Sequence, residues 1–209
     1  MYMYLDQSLR EYLNDLSSSQ PTPGGGSAAA LSGAMGAALA SMVTRLTIGK
    51  SGYADVQDEI EEILQKTEEL RERFQQLIQE DIDAYERLAM SFRLPKGSSE
   101  ENEARSRAIQ VRLHEAALVP LEVAERAAEL MHFCVRLAQI GNKNVRSDIA
   151  AGAALVMSAA QGAAWMVRVN LRSLKNQQLV EQLQGRLEAA LQQVEAGQSD
   201  VARLVGGTL

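Results

Sequence analysis

The longest regular pattern in the chain runs from Tyr53 to Phe92. Tyr53, Val56, Ile60, Ile63, Thr67, Leu70, Phe74, Leu77, Tyr85, Leu88 and Phe92 recur in steps of three and four, with Asp81 taking one place in the series. That period traces one face of an α-helix about 60 Å long at ~1.5 Å per residue. The opposite face is rich in Glu, Gln, Lys and Arg and reads as solvated. Leu94-Pro95-Lys96-Gly97-Ser98 ends the run. A second long helix is predicted from about Glu100 to Ile140, with an inner stripe through Ile109, Leu113, Ala116, Pro120, Ala124, Ala127, Met131, Cys134 and Ala138. Pro120 inside it predicts a kink. Shorter amphipathic patterns predict helices from about Asp6 to Ser18, with Asp6 as N-cap, and from about Asn176 to Leu204.

Two further segments follow a different rule. No charge occurs from Leu16 to Thr44, nor between Asp148 and Arg168, and the side chains are mostly small and apolar. These predict helices from the glycine run to about Ile48, stopped by Gly49, and from about Val145 to Ser173. Charge-free runs of this length invite a membrane reading. Ala, Gly and Ser dominate, and Pro and Gln interrupt the first run, so the membrane reading is rejected. Small residues at Gly33, Ala37 and Ser41 instead let neighbouring helices approach closely. A helix apolar all round belongs in the interior. The expectation is an all-α, up-and-down bundle of about six helices, two long and two central, forming one domain over residues 1–209. So few amphipathic helices give too little cover for the central pair, so a homodimer is expected.

Composition narrows the function. Hydrophobic residues make up 46% and aromatics 4%, so the core rests on Ala, Leu, Val, Ile and Met. With only 4 prolines and no alternating β-branched runs, nothing predicts a sheet. A net charge of -6 disfavours nucleic acid as a partner. The single cysteine, Cys134, excludes an internal disulfide and cysteine-rich zinc sites, and it reads as an inert core thiol. Met1-Tyr2-Met3-Tyr4-Leu5 is followed by Asp6 and has no basic leader, which reads as a cytoplasmic protein. His114 and His132 read as solvent-facing, and Trp165 and Met166 as core.

Three places carry candidate chemistry. Pro21-Thr22-Pro23-Gly24-Gly25-Gly26-Ser27 leads straight into Ala28-Ala29-Ala30. Its glycines sit at a helix start, whose free amides suit an anion or polar heterocycle; the alternative is a loop capped by Ser27 or a glycine. Asp81 occupies an apolar-stripe position, where a carboxylate is costly unless paired, bonded or protonated; the alternative is a structural partner such as an arginine. Gly141-Asn142-Lys143-Asn144-Val145-Arg146-Ser147-Asp148 opens the second charge-free helix with two cations, and Asp148 and Asn170 share a face of it. Capping is the alternative there, although it leaves Asn170 unexplained. Leu46-Thr47-Ile48-Gly49-Lys50 only superficially resembles a phosphate loop, since the first glycine and the preceding strand are missing. Lys50 also suits the negative end of a helix.

In this order the segments resemble the cyclodeaminase/cyclohydrolase family of folate one-carbon metabolism. The likeness is carried by Pro21 to Ser27, by Leu46 to Lys50 with Tyr53, by Asp81 with Ala84-Tyr85, by Leu94-Pro95-Lys96, by Gly141-Asn142, by Ser147-Asp148 and by Asn170-Leu171. The resemblance implies an all-helical dimer acting on a tetrahydrofolate adduct, with or without a polyglutamate tail, and needing no metal or other cofactor. It implies cyclodeaminase activity, forming 5,10-methenyl-tetrahydrofolate from 5-formimino-tetrahydrofolate with loss of ammonia. The alternatives are a methenyl-tetrahydrofolate cyclohydrolase and a non-catalytic scaffold or folate-binding relative. Asp81, Asp148 and Lys50 are the implied catalytic residues. Pro23, Gly24, Gly25, Gly26, Ser27, Tyr53, Lys96, Gly141, Asn142 and Asn170 are the implied substrate-binding residues. Two positions depart from the family pattern: Met166 stands where Asn is usual, and Tyr85 where Phe is common.

Overall fold

A computed structural model describes residues 4–206; Met1, Tyr2 and Met3, part of the stretch read for a leader, lie outside the described residues. Six α-helices follow one another: α1 (Leu9–Leu16), α2 (Gly25–Arg45), α3 (Gln57–Phe92), α4 (Ser99–Ile140), α5 (Arg146–Leu171) and α6 (Gln177–Val205), and no strand occurs among the described residues. The long helices are α3 and α4, and the charge-free pair is α2 and α5.

The pair forms the axis of the bundle. Their close approach follows from missing side chains: a methyl group on Gly36 would lie 2.8 Å from Val156 and 3.0 Å from the Gly152 carbonyl. Gly162 meets Ala29 and Gly25 meets Met166, so α5 runs antiparallel to α2. The α3 stripe covers another side of α2, with the Phe74 ring filling the space left by Gly33. Ser41 Oγ donates to Thr67 Oγ1 at 2.9 Å within that contact. α4 packs on α3, α5 and α6. By length and composition α2 and α5 resemble membrane spans, but here they lie against each other and under α3 and α4.

Several boundaries differ from the sequence expectation, each for a local reason. Ser8, not Asp6, caps α1: its Oγ accepts the Glu11 N–H, and the Glu11 carboxylate accepts the Ser8 N–H at 2.8 Å. α2 stops at Arg45, short of Ile48. Tyr53 lies in a 3₁₀ turn before α3, where Gln57 donates to the Tyr53 carbonyl and accepts the Gly49 N–H. Pro120 is buried inside a helix that continues from Ser99 to Ile140. Trp165 is no core residue. It is 59% exposed and stacks against Arg168, because alanines at 160, 163 and 164 already fill the inner face of α5. His132 is exposed and His114 half-buried. Cys134 is fully buried, which pushes its thiol up to about 12.

Candidate active site

The start of α2 has no side-chain cap. Gly24 holds the cap position in an extended conformation and, being glycine, offers no side chain of its own to the first amides. Asp81 fills that place from α3. Its carboxyl lies so close to Gly26 that any β-carbon there would overlap it. Glycine is therefore required at 26 for the carboxylate to reach the positive end of α2. Burial pushes the Asp81 carboxyl up to about 6, while hydrogen bonding by the Ser27 backbone N–H pulls the other way. A carboxyl titrating close to neutrality suits both proton uptake and proton delivery.

A second layer holds this turn in place. Ser27 is fully buried, and its Oγ donates to the Gly24 carbonyl at 2.9 Å. With that hydrogen committed, Ser27 Oγ accepts from the buried Tyr12 hydroxyl at 3.1 Å. Pro23 is buried under the same turn, behind a cis Thr22–Pro23 bond. Ser27 and Pro23 thus support the site from behind.

In front of Asp81 opens a cavity of about 370 Å³. The glycine turn and Asp81 form its polar end; Tyr85, Leu88 and Phe92 of α3, and Leu113 and Ala116 of α4, form apolar walls. Met166, Val169 and Asn170 of α5 close the third side. Asn170 spends both amide hydrogens on the carbonyls of Ala116 and Met166, at 3.1 and 3.0 Å, which leaves its side-chain oxygen as the acceptor. The arrangement fits a flat, partly polar ligand with a proton to exchange at Asp81.

The other expected residues lie elsewhere in the chain. Tyr53, Gly141 and Asn142 gather at the far end of α2, about 30 Å away by a rise of ~1.5 Å per residue. Asn142 is 3% exposed; its backbone N–H donates to Thr47 Oγ1, its Nδ2 to the Leu46 carbonyl, and its Oδ1 accepts from Asn144. Tyr53 hydroxyl accepts the Lys143 N–H at 2.9 Å. Gly141 ends α4, where a β-carbon would meet the Leu137 carbonyl. Lys50 is exposed, Asp148 sits half-buried in the first turn of α5, and Lys96 is exposed in the α3–α4 turn. One chain therefore does not bring these residues to the cavity. Sequence reasoning missed the α4 wall: Leu113 and Ala116 carry no chemical signal, and only their place in a stripe hinted at a buried face.

The sequence that builds this site matches a family. The formiminotransferase-cyclodeaminase model aligns with residues 8–189. The chain belongs to that family. It is 38% identical over 192 residues to the methenyltetrahydrofolate cyclohydrolase of Methylorubrum extorquens, covering 92% of this chain and 91% of that protein. It is 31% identical over 205 residues to the formimidoyltransferase-cyclodeaminase of Rattus norvegicus, covering 98% of this chain but 37% of that longer protein. The crystal structure of formiminotetrahydrofolate cyclodeaminase from Thermotoga maritima superposes with a TM-score of 0.88 at 32% identity, covering 97% of each chain. The all-helical bundle is thus shared with that cyclodeaminase.

Proposed function

We propose that the chain is a folate one-carbon enzyme, a cyclodeaminase that converts 5-formimino-tetrahydrofolate to 5,10-methenyl-tetrahydrofolate and ammonia. The observation that carries this reading is Asp81, held on the first turn of α2 at the mouth of a mostly apolar cavity. N10 attacks the formimino carbon and forms a tetrahedral adduct. Asp81 takes the proton that N10 sheds and delivers it to the departing nitrogen, which leaves as ammonia as the C–N bond breaks. One carboxyl close to neutrality serves both transfers. The glycine turn and the Asn170 oxygen receive the polar edge of the pterin. Acid–base chemistry at the amidinium carbon calls for no cofactor beyond the folate itself.

A cyclohydrolase reading is favoured by one observation, the near full-length match to a cyclohydrolase of similar size. The same carboxylate would then take a proton from water as it attacks the methenyl carbon. Methenyl-tetrahydrofolate absorbs in the near ultraviolet, so one optical assay follows both reactions. Formation of that band from the formimino adduct supports the first reading, and its accelerated decay supports the second. Purified protein that does neither would remove the enzyme reading.

We also propose a cytoplasmic homodimer joined through the outer faces of α2 and α5, where Met35, Leu46, Trp165 and Val169 are 41–59% exposed. A twofold pairing of antiparallel helices would set the Lys50 and Asp148 end of one protomer toward the cavity of the other. That is the route by which those two groups would join the reaction.

A further inference from the structure

The 370 Å³ cavity is not closed at Tyr85. Pro21, Thr22 and Tyr85 also border a second chamber of about 430 Å³, which continues along α3 past Glu86, Ala89 and Met90 to Arg93. The first chamber lies near the small end of ligand pockets, ~300–1,000 Å³, so a bicyclic ring with a long arm extends beyond it. The three arginines within α3 (Arg71, Arg73 and Arg87) each face a glutamate. Arg93 faces the second chamber, and its guanidinium has no ion pair or hydrogen bond among the described residues. At the negative end of α3, Arg105 donates to the Phe92 carbonyl at 3.0 Å and adds a second cation beside Arg93.

We infer that the second chamber is the binding site for an acidic aryl-amide arm, with Arg93 receiving its terminal carboxylate. The inference rests on the folate reading, whose substrate carries a p-aminobenzoyl-glutamate arm. Each part of such an arm has a partner along the chamber. The aromatic ring lies by Tyr85 and Met90, the amide N–H is within the province of Glu86, and the carboxylates meet Arg93. The spacing also fits. Asp81 and Arg93 are separated by about 18 Å along the helix at ~1.5 Å per residue. The arm spans roughly 12 Å when bonds of about 1.3–1.5 Å are summed, and the arginine side chain covers the remainder. Further glutamates would project from the open end of the chamber into solvent.

The test compares two probes on the intact protein, 5,10-methenyl-tetrahydrofolate and 6-methyl-tetrahydropterin, which lacks the arm. Arg93→Ala is expected to raise the Kd of the folate about tenfold, as for loss of a charged hydrogen bond. The armless pterin should bind wild type and variant alike, and Arg93→Lys should recover part of the folate affinity. Unchanged folate binding in Arg93→Ala, or equal weakening of both probes, would overturn the assignment. Wild-type protein that binds neither probe would instead bring down the folate reading beneath it.

Discussion

The two ends of the α2–α5 pair use similar residues for different ends. Each joins a glycine turn to a buried polar side chain, and each was singled out by the same kind of motif. At the far end every polar group of Asn142 has a protein partner, and the Tyr53 hydroxyl is tied to the backbone of Lys143. At the near end Asp81 is desolvated, borders open space, and meets the Ser27 backbone N–H. The lesson is that a motif at a helix junction becomes a site when its polar groups are left incompletely satisfied beside a cavity. Where they satisfy one another, they staple the fold.

The sharpest way to break that contrast is Asp81→Asn. The amide keeps the shape and can still accept from Ser27, but it cannot shuttle a proton. Turnover is expected to fall by about 10²-fold or more. Stability should move the opposite way. Burial raises the folded pKa to about 6 from 3.8, so the charged carboxylate is penalised in the folded state. The penalty is absent below pH 3.8, grows as pH rises through 6, and is constant above. At about 1.4 kcal/mol per unit, removing it stabilises the protein by about 1–3 kcal/mol at pH 7. Denaturant curves at pH 7 and near pH 3.5 measure this, and the gain should vanish at the lower pH. The matching activity profile rises with pH through about 6. An Asp81→Asn variant that turns over normally would transfer catalysis away from α3.

Asn142→Ala asks the converse question of the far end. It removes the bond to the Leu46 carbonyl and the acceptor for Asn144, in a residue 3% exposed. The expected cost is about 1–3 kcal/mol of stability, with turnover of the folded protein reduced less than tenfold. A hundredfold loss of turnover at unchanged melting temperature would make Asn142 itself part of the site, not a staple, and erase the distinction drawn above.

The fold was legible because its signals are repetitive. The three- and four-residue period of α3 and the charge gaps of α2 and α5 extend over about five turns or more at ~3.6 residues per turn, so local noise at the ends does not matter. Asp81 was legible as a misfit, a carboxylate in a stripe of Leu and Phe. What the sequence could not show was distance. Gly26 and Asp81 are far apart in the chain and in contact in space, whereas Asp81 and Asn142, equally prominent as motifs, lie at opposite ends of a helix. Trp165 was misread because its size suggests burial, while the alanine-lined interior of α5 has no room for an indole. Tyr85 and Phe92 followed the buried stripe by period but are 43% and 50% exposed, because α4 and α5 stand off from them across the cavity they line.

The smallest effect separates the two kinds of glycine. Gly26 is required by a neighbour, because any side chain would displace the Asp81 carboxyl. Gly49 is required by its own backbone: φ is +73°, and a β-carbon there would meet nothing within 4 Å. The left-handed conformation carries the chain out of α2 and presents the Gly49 N–H to Gln57 at 2.8 Å. Gly49→Ala should therefore cost about 1 kcal/mol of stability, the penalty of that conformation for an L-residue, and leave the rate intact. Gly49→Asn should recover most of the loss, because asparagine tolerates the left-handed region. Thermal melts of the three proteins decide it. Equal destabilisation by Ala and Asn would mean that Gly49, like Gly26, is conserving space for a neighbour, and the far end would then have an approaching group of its own.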